Sequence, residues 1–214
     1  MSSWKEERKR DFYYREAKRL GYRARSAFKL IEIQKRFKVI RKGDIVLDLG
    51  AAPGGWSQVA LEYSGGEVIG IDTLPVRKMD NFIFIEGDVT SDETKNRLRE
   101  VLGRRKVDVV LSDMSPNLSG NRALDQARSY WLCIKALEYA DEFLRRGGNF
   151  VCKGFEGSDL NEFFKEVKIR FRFVRKFSPK ASKKRSREVY IIGMGKLLGF
   201  SPDFDDDSYS CEDE

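Results

Sequence analysis

The sequence predicts an α/β domain built on a doubly wound, mainly parallel sheet. From Lys42 onward, short apolar runs alternate with amphipathic stretches, the rhythm of strand-helix crossover units. The 214 residues fit one domain, given a usual size of ~100–200 residues. Hydrophobic residues at 41% supply enough apolar surface to close a core despite 35% charged residues.

The elements follow in order. Residues 12–36 read as helical, with Phe28, Leu30, Ile31, Ile33 and Phe37 supplying an apolar stripe among basic residues. The runs DIVLDLG, EVIGID, FIFIEG, VDVVLSD and NFVCKG read as buried strands, separated by helices near 56–63, 91–102, 122–145 and 158–169. The last two runs, FRFVRKF and SREVYIIGMG, are joined by the basic loop SPKASKKR without a helix, which predicts an antiparallel hairpin at one sheet edge. That gives seven strands. The expected division is a basic helical segment over 1–40, an α/β domain over 41–197 and an acidic, disordered tail over 198–214.

Several chemistries are excluded at once. With no histidine, the His-dependent triads, common zinc sites and imidazole catalysis are absent, and any acid–base work falls to Lys, Asp, Glu, Tyr or Ser. Cys133, Cys152 and Cys211 have neither disulfide nor zinc spacing, so no metal is expected. No run approaches the ~18 apolar residues of a membrane helix, and MSSWKEERKR leads into no signal core, so a soluble, cytoplasmic protein is expected.

The net charge of +7 is unevenly spread, because the segment Asp203 to Glu214 holds seven acids and no base. The remainder is +14, and residues 1–42 and 165–187 are each +10. Two basic clusters on one domain favour a polyphosphate partner over simply solvated helix faces. Arg23, Arg25, Lys180, Lys183, Lys184 and Arg185 are the expected RNA contacts, with Tyr13, Tyr14 and Tyr22 interleaved for stacking.

In doubly wound sheets ligands bind beyond the carboxyl ends of the strands. Here those ends carry the glycine turn GAAPGG at 50–55, Asp72, Asp88, Asp113 and Lys153. A lone strand-end acid often caps the next helix, but a series beside a glycine turn points to a site. GAAPGGWS lacks the Lys-Ser/Thr of a Walker loop, and Ala52 falls where a dinucleotide turn needs its second glycine. A nucleoside without phosphates fits better, with Asp72 on the ribose hydroxyls and Asp88 at the adenine amino group.

The segments LDLGAAPGGWSQVA, SDMSPNLSG, FVCKGFEG and SREVYIIG, in this order, resemble the FtsJ-type ribosomal RNA large-subunit 2′-O-ribose methyltransferases, the methyltransferase E family, from about Arg10 to Gly195. The resemblance implies a Rossmann-like methyltransferase fold, S-adenosylmethionine as cofactor, and methylation of a ribose, with uridine the family's usual target, in large-subunit (23S-type) ribosomal RNA. It assigns Gly50, Gly54, Trp56, Asp72, Asp88 and Asp113 to the cofactor, and a catalytic tetrad to Lys29, Asp113, Lys153 and Glu188. Lys153 is then the expected proton acceptor, tuned below the ordinary lysine pKa of about 10.4 by Lys29 and burial, with Asp113 orienting it and Glu188 fixing a lysine or the ribose. The loop from Ser115 to Gly120 is expected to close over RNA.

The expected partner is ribosomal RNA or the large subunit, with a monomer acting and neither DNA nor membrane involved. The opening KRDFYYREAKRLGYRARSAFKL also resembles tRNA 2′-O-methyltransferases, so tRNA is the alternative substrate. A non-catalytic RNA-binding assembly factor is the alternative of another class.

Overall fold

A computed structural model of the chain describes residues 12–182 and 186–198. Helices α1 (Phe12–Arg19) and α2 (Ala27–Phe37) precede the alternating region. There follow β1 (Val46–Leu49), α3 (Gly55–Ser64), β2 (Val68–Asp72), β3 (Phe82–Glu86), α4 (Asp92–Leu102) and β4 (Val107–Ser112). The chain continues through α5 (Arg122–Phe143), β5 (Leu144–Phe155), α6 (Ser158–Lys168), β6 (Phe171–Phe177) and β7 (Glu188–Lys196). The seven strands form one sheet in the order β3-β2-β1-β4-β5-β7-β6. Strands β1 to β5 run parallel, while β7 lies antiparallel between β5 and β6.

The helical stretch expected over 12–36 consists of two helices. Gly21 takes φ 79, a backbone state that suits glycine, and the Tyr22 amide donates to the Ala17 carbonyl to close α1. The remaining elements match the rhythm of the sequence: the central strands are short apolar runs buried on both faces, while the edge strand β6 buries only Phe171 and Val174.

Helices cover both faces. Leu30 and Ile33 of α2 and Trp56, Val59 and Ala60 of α3 pack on Val46, Val68, Val109, Leu111, Val151, Tyr190 and Ile192. The other face carries Leu98 of α4, Tyr139 of α5 and Phe163 of α6 over Leu47, Ile69, Val110, Phe150 and Ile191. Successive strand residues point to opposite faces, so side chains in step with Leu111, Val151 and Ile192 emerge beneath α2. Among the described residues no helix is long and apolar enough to cross a membrane.

Gly70 sits in β2 between two strands, where an added Cβ would lie 2.6 Å from a Phe82 ring carbon and 2.9 Å from the Ala51 Cβ. Gly70→Ala is expected to cost about 1–3 kcal/mol of stability through overpacking, read as a lower urea midpoint at unchanged slope.

Candidate active site

Two ion pairs stand side by side at the carboxyl end of β5. Lys153 Nζ lies 2.5 Å from the Asp113 carbonyl oxygen and 3.1 Å from its Oδ1. Lys29 Nζ lies 2.6 Å from Glu188 Oε1. Both lysines are under a tenth exposed, Lys29 at 9% and Lys153 at 8%, which separates them from solvated surface lysines.

Strand parity explains the assembly. Asp113 keeps step with Leu111, Lys153 with Val151, and Glu188 with Tyr190 and Ile192, so all of them rise on the face that α2 crosses. Lys153 pairs in register with Tyr190, and Phe155 with Glu188. Lys29 completes the group from above, one residue before the core-facing Leu30. Burial alone would raise the Glu188 pKa, but the charge and hydrogen bond of Lys29, aided by Lys153, hold it below the usual carboxylate range.

Tyr190 belongs to this cluster and was not singled out from the sequence. Its hydroxyl donates to Asp113 Oδ1 at 2.7 Å, and its ring lies 5.9 Å from Lys29 Nζ. Burial, then the nearby Asp113 charge, pushes the phenol pKa well up, which keeps it a donor. The available signal was alternation, since Glu188 and Tyr190 are two apart on one strand.

Beside the cluster opens a cleft of about 640 Å³ lined by Gly50, Asp72, Asp88, Val89, Asp113 and Met114. Asp72 also holds the turn, accepting from the Ala52 and Leu74 amides at 2.9 Å each. Asp88 accepts from the amide and hydroxyl of Thr90, both at 2.8 Å. Among the described residues lining the cleft, Asp72, Asp88 and Asp113 outnumber the one cation, Arg128, so a positively charged nucleoside fits these acceptors and a polyphosphate does not.

Asp48, on β1 below the glycine turn, was also missed. It is fully buried, accepts from Ser57 Oγ at 2.6 Å, and leaves Oδ1 without a partner among the described residues. Burial first, then the Asp113 and Asp72 charges, pushes its pKa up to about 7 against the Ser57 hydrogen bond. An acid within the otherwise apolar VLDL strand was the sequence signal.

Four of the expected site residues have contacts of their own within the chain. Gly54 and Trp56 do not line the cleft. Gly54 turns toward Arg23, whose Nη1 would lie 2.7 Å from an added Cβ. Trp56 is buried under α2, stacks on Tyr190 at 5.7 Å, and donates its indole N–H to the Ser26 carbonyl at 2.9 Å. Arg23 and Arg25, expected on phosphates, bond within the chain. Arg23 donates to the Arg77 and Lys78 carbonyls at 2.9 and 3.3 Å, and Arg25 to the Ala181 carbonyl at 2.6 Å. Lys180 is exposed, whereas Lys183, Lys184 and Arg185 lie outside the described residues.

Glu32 is a further residue the sequence did not mark. Its carboxylate accepts from the Lys180 and Ala181 amides at 2.7 and 2.9 Å, tying α2 to the basic loop before β7.

The sequence model of a family described as FtsJ-like methyltransferase matches residues 22–196. A protein of Archaeoglobus fulgidus named ribosomal RNA large subunit methyltransferase E is 48% identical over 185 residues, covering 86% of this chain and 95% of the relative. One of the same name from Methanocaldococcus jannaschii is 50% identical over 195 residues, 88% of this chain and 80% of the relative. A crystal structure of a Plasmodium falciparum protein, titled a ribosomal RNA methyltransferase, superposes with TM-score 0.75 at 31% identity, covering 82% of this chain and 99% of the other.

Asp48 gives a pH signature with a definite sign. Its folded pKa of about 7 exceeds the ordinary 3.8, so its contribution to stability is complete below pH ~4 and lost as pH rises through 7. Urea titrations from pH 4 to 8 should show wild type losing on the order of 4 kcal/mol relative to Asp48→Asn across that window. Parallel curves would remove Asp48 as the cause.

Proposed function

As a member of the FtsJ-like methyltransferase family, the chain is, we propose, an enzyme that methylates a ribose 2′-hydroxyl, with uridine the expected target, in 23S-type large-subunit ribosomal RNA. S-adenosylmethionine is the cofactor, and when bound it supplies an activated methyl group on a sulfonium. The observation that carries the reading is the pair of buried lysine–carboxylate contacts at the rim of an acidic cleft.

In this reading Asp72 and Asp88 hold the ribose and base of the nucleoside, with Gly50 letting the backbone lie close against it. Lys153, in its neutral form, accepts the proton of the attacking hydroxyl at Nζ. Asp113 and Tyr190 fix the angle of Lys153, while Lys29 and Glu188 orient the acceptor ribose. Asp113 further stabilises positive charge in the cleft. Exposed Lys180 and the neighbouring basic residues meet the phosphates, and Arg23 and Arg25 serve the RNA face by bracing its loops. Ribosomal RNA or the large subunit is the partner, the protein acts in the cytoplasm as a monomer, and residues 1–40 add basic surface to the domain that follows.

Incubation with labelled S-adenosylmethionine and large-subunit RNA, ribosomal particles or tRNA tests the substrate class. Label in large-subunit RNA at a ribose supports the reading, and label confined to tRNA or absent from all three overturns it. Lys153→Arg keeps the charge but cannot give up its proton, so single-turnover transfer should fall about 10²–10⁴-fold while cofactor affinity stays within about threefold. Retained transfer removes Lys153 as proton acceptor.

Glu32→Ala separates bracing from charge. Removing an acid from a basic surface should tighten RNA binding by electrostatics alone. Loss of the Lys180 and Ala181 amide contacts should instead weaken it several-fold, measured by filter binding at fixed salt.

A further inference from the structure

We propose that a second cavity, across the loop 114–121 from the cofactor cleft, receives the base of the nucleotide whose ribose is methylated. The proposal deepens the functional reading above and rests on it.

The loop leaves β4 at Asp113 and walls two spaces. Met114 to Asn117 line the cofactor cleft, whereas Leu118 and Gly120 line a cavity of about 350 Å³ closed on its other side by Phe155, Gln126 and Arg187. Phe155 is two residues beyond Lys153 on the same face of β5, about 7 Å along the strand, and pairs in register with Glu188. The cavity therefore begins where the two ion pairs end. A methyl donor reaching Lys153 from one side of the loop leaves the other side for the acceptor, and a nucleotide with its sugar over Lys153 sets its base against Phe155.

The lining has the chemistry of a base site. Leu118 is 68% exposed and faces Phe155 across the space, giving apolar walls for a flat ring. Arg122 and Arg187 flank it; the Arg187 carbonyl accepts from the Glu156 amide at 2.9 Å, while neither guanidinium group bonds or ion-pairs among the described residues. Arg23, Arg99, Arg145 and Arg170, by contrast, are engaged within the chain. Two unengaged guanidinium groups beside an apolar slot match the phosphates on either side of one nucleotide.

The walls are preformed. Asp125 accepts from the amide and hydroxyl of Ser119 at 2.8 Å each, and Gln126 Nε2 donates to the Glu156 carbonyl at 2.7 Å. A base can enter only when unstacked from its neighbours, so the substrate nucleotide is one that lies in a loop or is splayed out.

The test uses the full chain and a synthetic large-subunit RNA fragment that it methylates. A matched fragment is abasic at the target nucleotide but keeps the 2′-hydroxyl. For wild type, the abasic fragment should raise KM roughly tenfold, the scale of one lost base–aromatic stack. Phe155→Leu keeps apolar bulk without the aromatic face. It should show most of that penalty on the intact fragment and little more on the abasic one, with cofactor affinity by calorimetry unchanged as a check on folding. Arg187→Ala should raise KM on both fragments and flatten the salt dependence. Equal abasic penalties in wild type and Phe155→Leu, or no penalty in wild type, overturn the base site alone. Failure of wild type to label any large-subunit RNA overturns the functional reading beneath it.

Discussion

The register between β5 and β7 is the constraint on which the site depends. Because β7 runs antiparallel, its first residues lie against the carboxyl end of β5, where a parallel sheet gathers its ligand-binding ends. Lys153 opposite Tyr190 and Phe155 opposite Glu188 put both ends of the cluster on the face under α2. A slip of one residue would turn Glu188 and Tyr190 to the α5 face, leaving Lys29 with a buried charge and no carboxylate. The slip is opposed along the rest of β7, where Tyr190 and Ile192 fill one core and Val189 and Ile191 the other. Core packing thus fixes catalytic geometry.

The basic segment before β1 serves this geometry as well as the surface. Arg23 reaches the loop after β2, Tyr22 bonds Glu62 of α3 at 2.7 Å, and Arg25 and Glu32 hold the loop before β7. Between those two attachments Lys29 enters the cluster. A force on the loop before β7 is therefore felt at α2, and through α2 at Lys29. The net charge of this segment overstates what it offers to a polyanion, since two of its arginines are committed to carbonyls of its own chain.

The sheet was legible because each strand is a short apolar run bounded by turn residues, and the antiparallel pair because no helix separates FRFVRKF from SREVYIIGMG. Strand-end residues Asp113 and Lys153 were legible for the same reason, as strand ends are where a doubly wound sheet presents chemistry. Helix-borne residues were harder. Trp56 follows the glycine turn by one residue, yet the phase of α3 aims its ring into the core, and that phase is set by packing on Tyr190. The partners of Arg23 and Arg25 lie 54 and 156 residues away and are backbone carbonyls, which no residue pattern encodes. Gly21 separates the two helices of the basic segment with a positive φ, and the apolar stripe from Phe28 to Phe37 lies wholly on the second.

Asp48 lies fully buried on β1 below the glycine turn. Its charged form is opposed first by burial and then by the charges of Asp113 and Asp72. A phosphate brought among them adds to that repulsion, whereas a sulfonium or ammonium relieves it. Since affinity gained by relieving repulsion is tied to charge, the neutral product left after methyl transfer gains less than the donor does. On the proposed reading, acids that admit a cationic donor also favour release of its neutral product, so one electrostatic arrangement would serve both recognition and turnover.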